Sequence, residues 1–297
     1  MSESLNFLDP SVLAGLSNLE MRARVAVEGF LSGLHKSPDR GFSVEFNDYR
    51  HYYPGDDMRH VDWRLYARSD KFYVKQYEDE TNVRCVILLD SSASMAYGTG
   101  SFTKLQYGIT LASALAYFIM RQRDAVGLIV FDEEIREFIP PKCRQMHLMR
   151  ILRSLAKVEN GAGTDVVKPL TDLAMSLYRK SFVILITDML DDEERVIRTL
   201  QNLRAMGHDV IAFQIMDHAE LDFPFTEATE FIDMENSESF ITSPVAIRKS
   251  YLQHVNEFLD FCRKKCQGSG VDYCLMDTGQ PLDQALSAYM LRRARSF

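Results

Sequence analysis

Three oxygen-bearing side chains, Asp90, Ser92 and Ser94, follow one another at a spacing of two in the stretch VRCVILLDSSASM, residues 83–95. Small residues, Ser91 and Ala93, stand between them. An extended segment entering a loop turns alternate side chains to one side, so all three oxygens can meet at one point. One carboxylate and two hydroxyls make a hard, all-oxygen donor set that suits Mg²⁺, Mn²⁺ or Ca²⁺ and suits Zn²⁺ or copper poorly. The same residue types are also ordinary turn formers after a strand, bonding to local backbone, and within this segment both roles stay open.

The run that delivers these residues, Val83 and Cys85 to Leu89, is apolar and rich in β-branched side chains, as a buried central strand requires. Two further runs of this kind follow, Ala125–Phe131 and Ser181–Ile186, the latter ending in Thr187-Asp188. Helical spacing of apolar residues predicts helices over 9–28, 101–123, 146–158, 166–179, 192–206, 244–266 and 281–294. Strands are expected near 72–76, 209–216 and 271–276, with an edge strand at 135–139 that Pro140-Pro141 ends and a less regular section at 217–243. Strands that alternate with helices and are apolar on both faces predict an α/β fold, a three-layer αβα sandwich with a mostly parallel central sheet. Ligands of such sheets gather at the carboxyl ends of the strands, where Asp90 and Asp188 both stand. Residues 1–81 are expected to form a smaller N-terminal helix/strand extension and residues 82–297 the main domain. The glycines of Gly98-Thr99-Gly100 lack the partners of a dinucleotide or phosphate loop and read as a turn.

Composition narrows the function classes. A 297-residue chain that is 46% hydrophobic can bury a sizeable core. A net charge of −8 argues against a general nucleic-acid binder, and the basic runs Arg263-Lys264-Lys265 and Arg292-Arg293 are short enough to be solvated helix faces. No apolar run approaches the roughly 20 residues of a membrane-spanning helix, and the start MSESLNF has no secretory apolar core, so a cytoplasmic location is expected. The five cysteines show no zinc-site spacing and read as reduced thiols. The segment Asp48–Arg64, with carboxylates, arginines, aromatics and Trp63 around a Pro-Gly turn, reads either as a ligand or partner surface or as a semi-buried ion-pair network; its close alternation of charge signs favours the network.

Asp90-x-Ser92-x-Ser94, Thr164 in the loop Gly161-Ala162-Gly163-Thr164-Asp165, and Thr187-Asp188 resemble, in order and spacing, the metal-ion-dependent adhesion site of von Willebrand factor A-type domains. The run Gly29–Ser37, the signature from Tyr49-Arg50 through Pro54-Gly55-Asp56-Asp57 to Asp62-Trp63-Arg64 and Ala67-Arg68, and Glu220-Leu221-Asp222-Phe223-Pro224-Phe225 narrow the resemblance to bacterial domain-of-unknown-function family 58. The likeness covers nearly the whole chain. It implies a von Willebrand A-like domain, a genetic association with MoxR-type AAA+ ATPases, and a form without the membrane helices of some members. It also implies that Ser92 and Ser94 bind the metal directly, while Thr164, Asp90 and Asp188 bind it directly or through water. Two carboxylates roughly balance a divalent ion, so a free coordination position should still attract an Asp or Glu from a partner.

Three functions compete. The first is a non-enzymatic, Mg²⁺-dependent protein-interaction module, an adaptor or co-chaperone of a MoxR-type AAA+ ATPase, with Mn²⁺ or Ca²⁺ as other ions. The second is a metal-dependent hydrolase or phosphoryl-transfer enzyme at the same site; no general base stands convincingly beside it, and Ser92 occupies the place where a D-x-D phosphoaspartyl enzyme needs an acid. The third is a structural scaffold with an empty site.

Overall fold

The computed structural model describes residues 19, 21, 23, 49–51, 66, 72–75, 84–100, 102–161, 168–171, 177, 180–190, 193–227, 229–232 and 239–294. Grouped by contact, residues 38–82 form one unit and residues 1–37 with 83–297 form another. In the smaller unit, strands β1 (Tyr49–His51) and β2 (Tyr73–Lys75) pair antiparallel. The rings of Tyr66 and Phe72 stack there with centroids 4.3 Å apart. The rest of the Asp48–Arg68 segment, and the Gly29–Ser37 run, lie outside the described residues.

The larger unit is built on a six-stranded sheet. Its elements are β3 (Arg84–Asp90), α1 (Lys104–Arg121), β4 (Ala125–Phe131), β5 (Ile135–Lys142), α2 (Gln145–Leu155), β6 (Phe182–Thr187), α3 (Glu193–Ala205), β7 (Asp209–Met216), α4 (His218–Asp222), β8 (Thr229–Ile232), β9 (Ser239–Thr242), α5 (Pro244–Gly268), β10 (Asp272–Asp277) and α6 (Leu282–Ala294). The strand order is β10-β7-β6-β3-β4-β5, parallel throughout except for β5, which runs antiparallel to β4. This is the mostly parallel α/β sandwich expected.

Alternation along β3 divides the core. Cys85, Ile87 and Leu89 face a cluster with Leu111 and Leu115 of α1, Ile151 and Leu155 of α2, and Tyr289 of α6. Val86 and Leu88 face the opposite cluster, with Val196 and Leu200 of α3 and Cys262 and Cys266 of α5. A strand buried on both faces has no polar positions to spare, which is why its sequence is continuously apolar. Each fully buried Leu, Ile or Val contributes about 1.5–3 kcal/mol relative to exposure. Leu19 and Ala23, helical residues of the N-terminal region, belong to the first of these clusters.

Helix α1 begins at a capping box in which Thr103 and Gln106 exchange hydrogen bonds. One turn later Gly108 presses on the sheet: a Cβ there would lie 3.1 Å from Leu89 and 3.2 Å from Ile215. The missing side chain lets the helix start sit low over the ends of β3 and β6.

Two expectations need correction. Edge strand β5 continues through Pro140 and Pro141 to Lys142 instead of ending before them. An edge strand tolerates a residue without an N–H, and the ladder to β4 takes up the irregularity between Val126 and Leu128. The section 217–243 holds α4 and the β8–β9 hairpin, elements of four or five residues, too short to show a period. Smaller shifts occur at helix ends: α1 starts at Lys104 and α2 stops at Leu155. Of the helices expected over 9–28 and 166–179, only Leu19, Met21 and Ala23 and residues 168–171 and 177 are described; all of these are helical except Leu177.

Candidate metal centre

The chain leaves β3 toward β4 and β5 on one side and returns through β6, β7 and β10 on the other. The crevice of such a sheet opens where this direction reverses, between the carboxyl ends of β3 and β6. Asp90 ends β3, and Asp188 follows β6 directly.

Asp90 is fully buried. Its Oδ1 accepts a hydrogen bond from the Ser92 amide at 2.8 Å, and its Oδ2 accepts one from the Thr187 hydroxyl at 2.6 Å. Thr187 in turn accepts from the Met189 amide at 3.1 Å. The threonine before Asp188 thus ties the two strand ends together. Ser91 fastens the loop to the neighbouring strand, its amide and hydroxyl both donating to the Phe131 carbonyl at 2.8 and 2.9 Å. Ser92 and Ser94 then open the 3₁₀ turn Ala93–Ala96, with their hydroxyl oxygens 3.1 Å apart.

Asp188 is equally buried. Its Oδ1 accepts from the Leu190 amide at 3.1 Å and its Oδ2 from Lys104 Nζ at 2.8 Å. The backbone beneath it is held as well: Gln214 Nε2 donates to the Asp188 carbonyl at 2.9 Å, and Tyr273 OH donates to Gln214 Oε1 at 2.6 Å. Met189 takes a left-handed φ of 61° immediately after, a conformation that costs a non-glycine residue about 1 kcal/mol or more. That strain sits at the turn that aims Asp188.

Lys104, at the first position of α1, is fully buried and also donates to Glu220 Oε1 at 2.9 Å. Burial works against its ammonium, but Asp188 and Glu220 outweigh it and its pKa lies above the ordinary value. Glu220 is the capping-box residue of α4, where its Oε2 accepts from the Asp217 amide at 2.7 Å. Asp217 is buried beside it and accepts from the Thr278 hydroxyl at 2.9 Å and from Thr99.

Electrostatics distinguish the two central acids. Asp188 has an ammonium against it, whereas Asp90 has neutral donors. Burial, and then the charge of Asp188, push Asp90 up to about 7. A buried carboxylate in that position needs a proton or a cation. Among the described residues no three His, Cys, Asp or Glu side chains gather at metal-binding range, so hydroxyls must complete any donor set here. The two serine oxygens are spaced for this, since adjacent oxygens on Mg²⁺ at 2.0–2.1 Å lie about 3.0 Å apart, close to the 3.1 Å observed.

The structure thus gathers Asp90, Ser92, Ser94 and Asp188 at two neighbouring strand ends. Thr164 lies outside the described residues, although the start of its loop is placed: the Gly161 amide donates to the Ser91 carbonyl at 2.6 Å. A Cβ on Gly161 would overlap the Asp132 carboxylate. Sequence reasoning misses Lys104 and Glu220 as site residues. A lysine in the first turn of a helix opposes the helix dipole, and that local conflict is the available signal.

A family model described as "Protein of unknown function DUF58" matches residues 48–258. The chain belongs to this family. The DUF58 chain is 25% identical over 221 residues to "Uncharacterized protein Rv1480" of Mycobacterium tuberculosis H37Rv, spanning 73% of this chain and 68% of that protein. A Mycobacterium bovis protein, "Uncharacterized protein Mb1516", matches to the same extent. Among solved structures, BatB from Bacteroides thetaiotaomicron is similar at 18% identity and a TM-score of 0.46, covering 72% of this chain and 99% of that one. An aerotolerance-related membrane protein from Bacteroides fragilis is similar at 17% identity and a TM-score of 0.47, covering 71% and 99%. No helix among the described residues of the DUF58 chain is long and apolar enough to cross a membrane.

Proposed function

We propose that this DUF58 protein is a divalent-cation-dependent protein-interaction module without catalysis of its own. The observation that carries the reading is the buried pair Asp90 and Asp188 at the sheet's switch point, with the Ser92 and Ser94 hydroxyls 3.1 Å apart beside it. Ser92 and Ser94 would hold the ion directly, and Asp90, Asp188 and Thr164 directly or through water. Mg²⁺ fits this oxygen set, with Mn²⁺ or Ca²⁺ as substitutes. When bound, the ion supplies a Lewis-acidic position that an acidic side chain from another protein can fill.

The chain's own residues prepare that position. Thr187 and the Ser92 amide fix both oxygens of Asp90, while Leu190 and Lys104 fix those of Asp188. The serines contribute oxygens without charge, so two acids do not over-neutralise the ion and an Asp or Glu of the partner still gains by approaching. The family resemblance supports a role as adaptor or co-chaperone of a MoxR-type AAA+ ATPase in the cytoplasm, with the ATPase or its client supplying the acid.

The test is isothermal titration of Mg²⁺ into wild type and Asp90→Ala, followed by partner capture with and without chelator. Heat of binding in wild type alone, and capture that chelator abolishes, are the expected results. Chelator-insensitive capture would refute metal-dependent recognition, and metal-dependent phosphatase turnover lost in Asp188→Ala would replace it with catalysis.

A further inference from the structure

Burying an ammonium is costly unless carboxylates surround it, and the fold offers no reason to start α1 with a lysine, where the helix dipole disfavours positive charge. Lys104 is nevertheless fully buried, with Asp188 and Glu220 at 2.8 and 2.9 Å. Its bond to Asp188 has a geometric use. With Oδ2 held by Lys104 and Oδ1 by the Leu190 amide, the carboxylate plane is fixed.

That bond has an electrostatic drawback. With a cation in place of the Asp90 proton, Asp90 and Asp188 together carry two negative charges, and Lys104 alone would reduce them to one, leaving too little to hold a divalent ion. Glu220 restores the balance: three acids against one ammonium again give two negative charges. Glu220 suits this role because α4 fixes it independently, its second oxygen being the capping-box acceptor for the Asp217 amide.

We propose that Lys104 and Glu220 act as an electrically neutral positioning pair, in which Lys104 orients Asp188 and Glu220 returns the charge that Lys104 would otherwise remove from the cation site. Neither is a ligand; the pair sets how much charge the site offers and so how tightly it holds a divalent ion. The inference rests on the metal reading above, and it assigns to Glu220 a reach into the centre that its place in α4 does not by itself suggest.

Glu220→Gln is the decisive variant, because its amide keeps an oxygen for Lys104 and nearly the same shape while deleting the charge, giving up only the acceptor for the Asp217 amide. Titration of Mg²⁺ at constant pH should show affinity weakened about tenfold or more, the effect of one unit charge removed from a buried cluster. The double variant Lys104→Gln/Glu220→Gln returns the net charge to two and should recover most of the lost affinity, which a merely structural role for Glu220 would not produce. Circular dichroism establishes that each variant is folded. Unchanged affinity in Glu220→Gln overturns the inference, as does a folded double variant that binds more weakly than Glu220→Gln. Should the double variant not fold, the single variant decides. No Mg²⁺ uptake by wild type would remove the metal reading and this inference together, whereas uptake with an indifferent Glu220→Gln removes the inference alone.

Discussion

Replacing Asp90 by Asn should make the metal-free protein more stable at alkaline pH, although it removes a central residue of the site. The Asp90 carboxyl is fully buried and pushed from 3.8 up to about 7, first by burial and then by Asp188. In the unfolded chain it ionises near 3.8; in the folded chain it holds its proton to about 7. The folded state therefore binds more protons in between, and its stability falls as pH rises from about 4 through 7. Each tenfold change in the proton equilibrium is worth about 1.4 kcal/mol, so the full loss amounts to ~4 kcal/mol. Asn carries no charge and escapes it. The variant keeps one side-chain oxygen and loses the other, so either the Ser92 amide or the Thr187 hydroxyl loses its acceptor, a cost of about 1–3 kcal/mol for a buried donor left unpaired. A net gain of about 1–3 kcal/mol at pH 8 remains. Urea denaturation across a pH series, in chelator, reads this directly. Wild type should lose stability from pH 5 to 8 while Asp90→Asn changes far less, and Mg²⁺ should restore wild type but not the variant. Asp90→Asn less stable than wild type at pH 8 in chelator would refute the electrostatic reasoning.

Other consequences follow from the same contacts. Gln214→Leu strips the Asp188 carbonyl and Tyr273 hydroxyl of their buried partner and should cost about 1–3 kcal/mol by urea denaturation, beyond any gain from an apolar side chain. Gly161→Ala places a methyl group against the Asp132 carboxylate and should destabilise by about 1–3 kcal/mol; an unchanged melting temperature would show that the loop does not need this close approach. His218 should titrate above its ordinary 6.5, chiefly because its ring bonds to Asp277 and then because of that carboxylate's charge. The stability this pair gives is present below 6.5 and lost as pH rises through the folded-state midpoint; an NMR titration should show the midpoint falling in Asp277→Asn.

The framework is legible in the sequence because burial on both faces leaves a direct trace. The runs at 85–89, 125–131 and 182–186 are apolar, and all three are strands at the centre of the sheet. The pairing of Asp90 with Thr187-Asp188 is also readable, since both follow such runs and parallel strands bring their carboxyl ends together. Lys104 leaves only one trace in the sequence, a positive charge in the first turn of a helix. In sequence it resembles a solvated residue at a helix start, and only the fold shows that Gly108 lowers this end of α1 onto the sheet, with two acids around the ammonium. Glu220 stands out in the sequence as part of a family pattern and not for its charge, because its partner is 116 residues away. Pro140-Pro141 misleads for a different reason: proline ends an interior strand but not an edge strand, and among the described residues nothing pairs with the outer side of β5.

The most direct test of a cation held between the ends of β3 and β6 is anomalous diffraction from crystals grown with Mn²⁺. A single strong anomalous peak is expected about 2.1 Å from the hydroxyl oxygens of Ser92 and Ser94, within reach of Asp90 and Asp188 directly or through one water. Ordered serine, Asp90 and Asp188 side chains with no peak between them, at an Mn²⁺ concentration that occupies other sites, would contradict it.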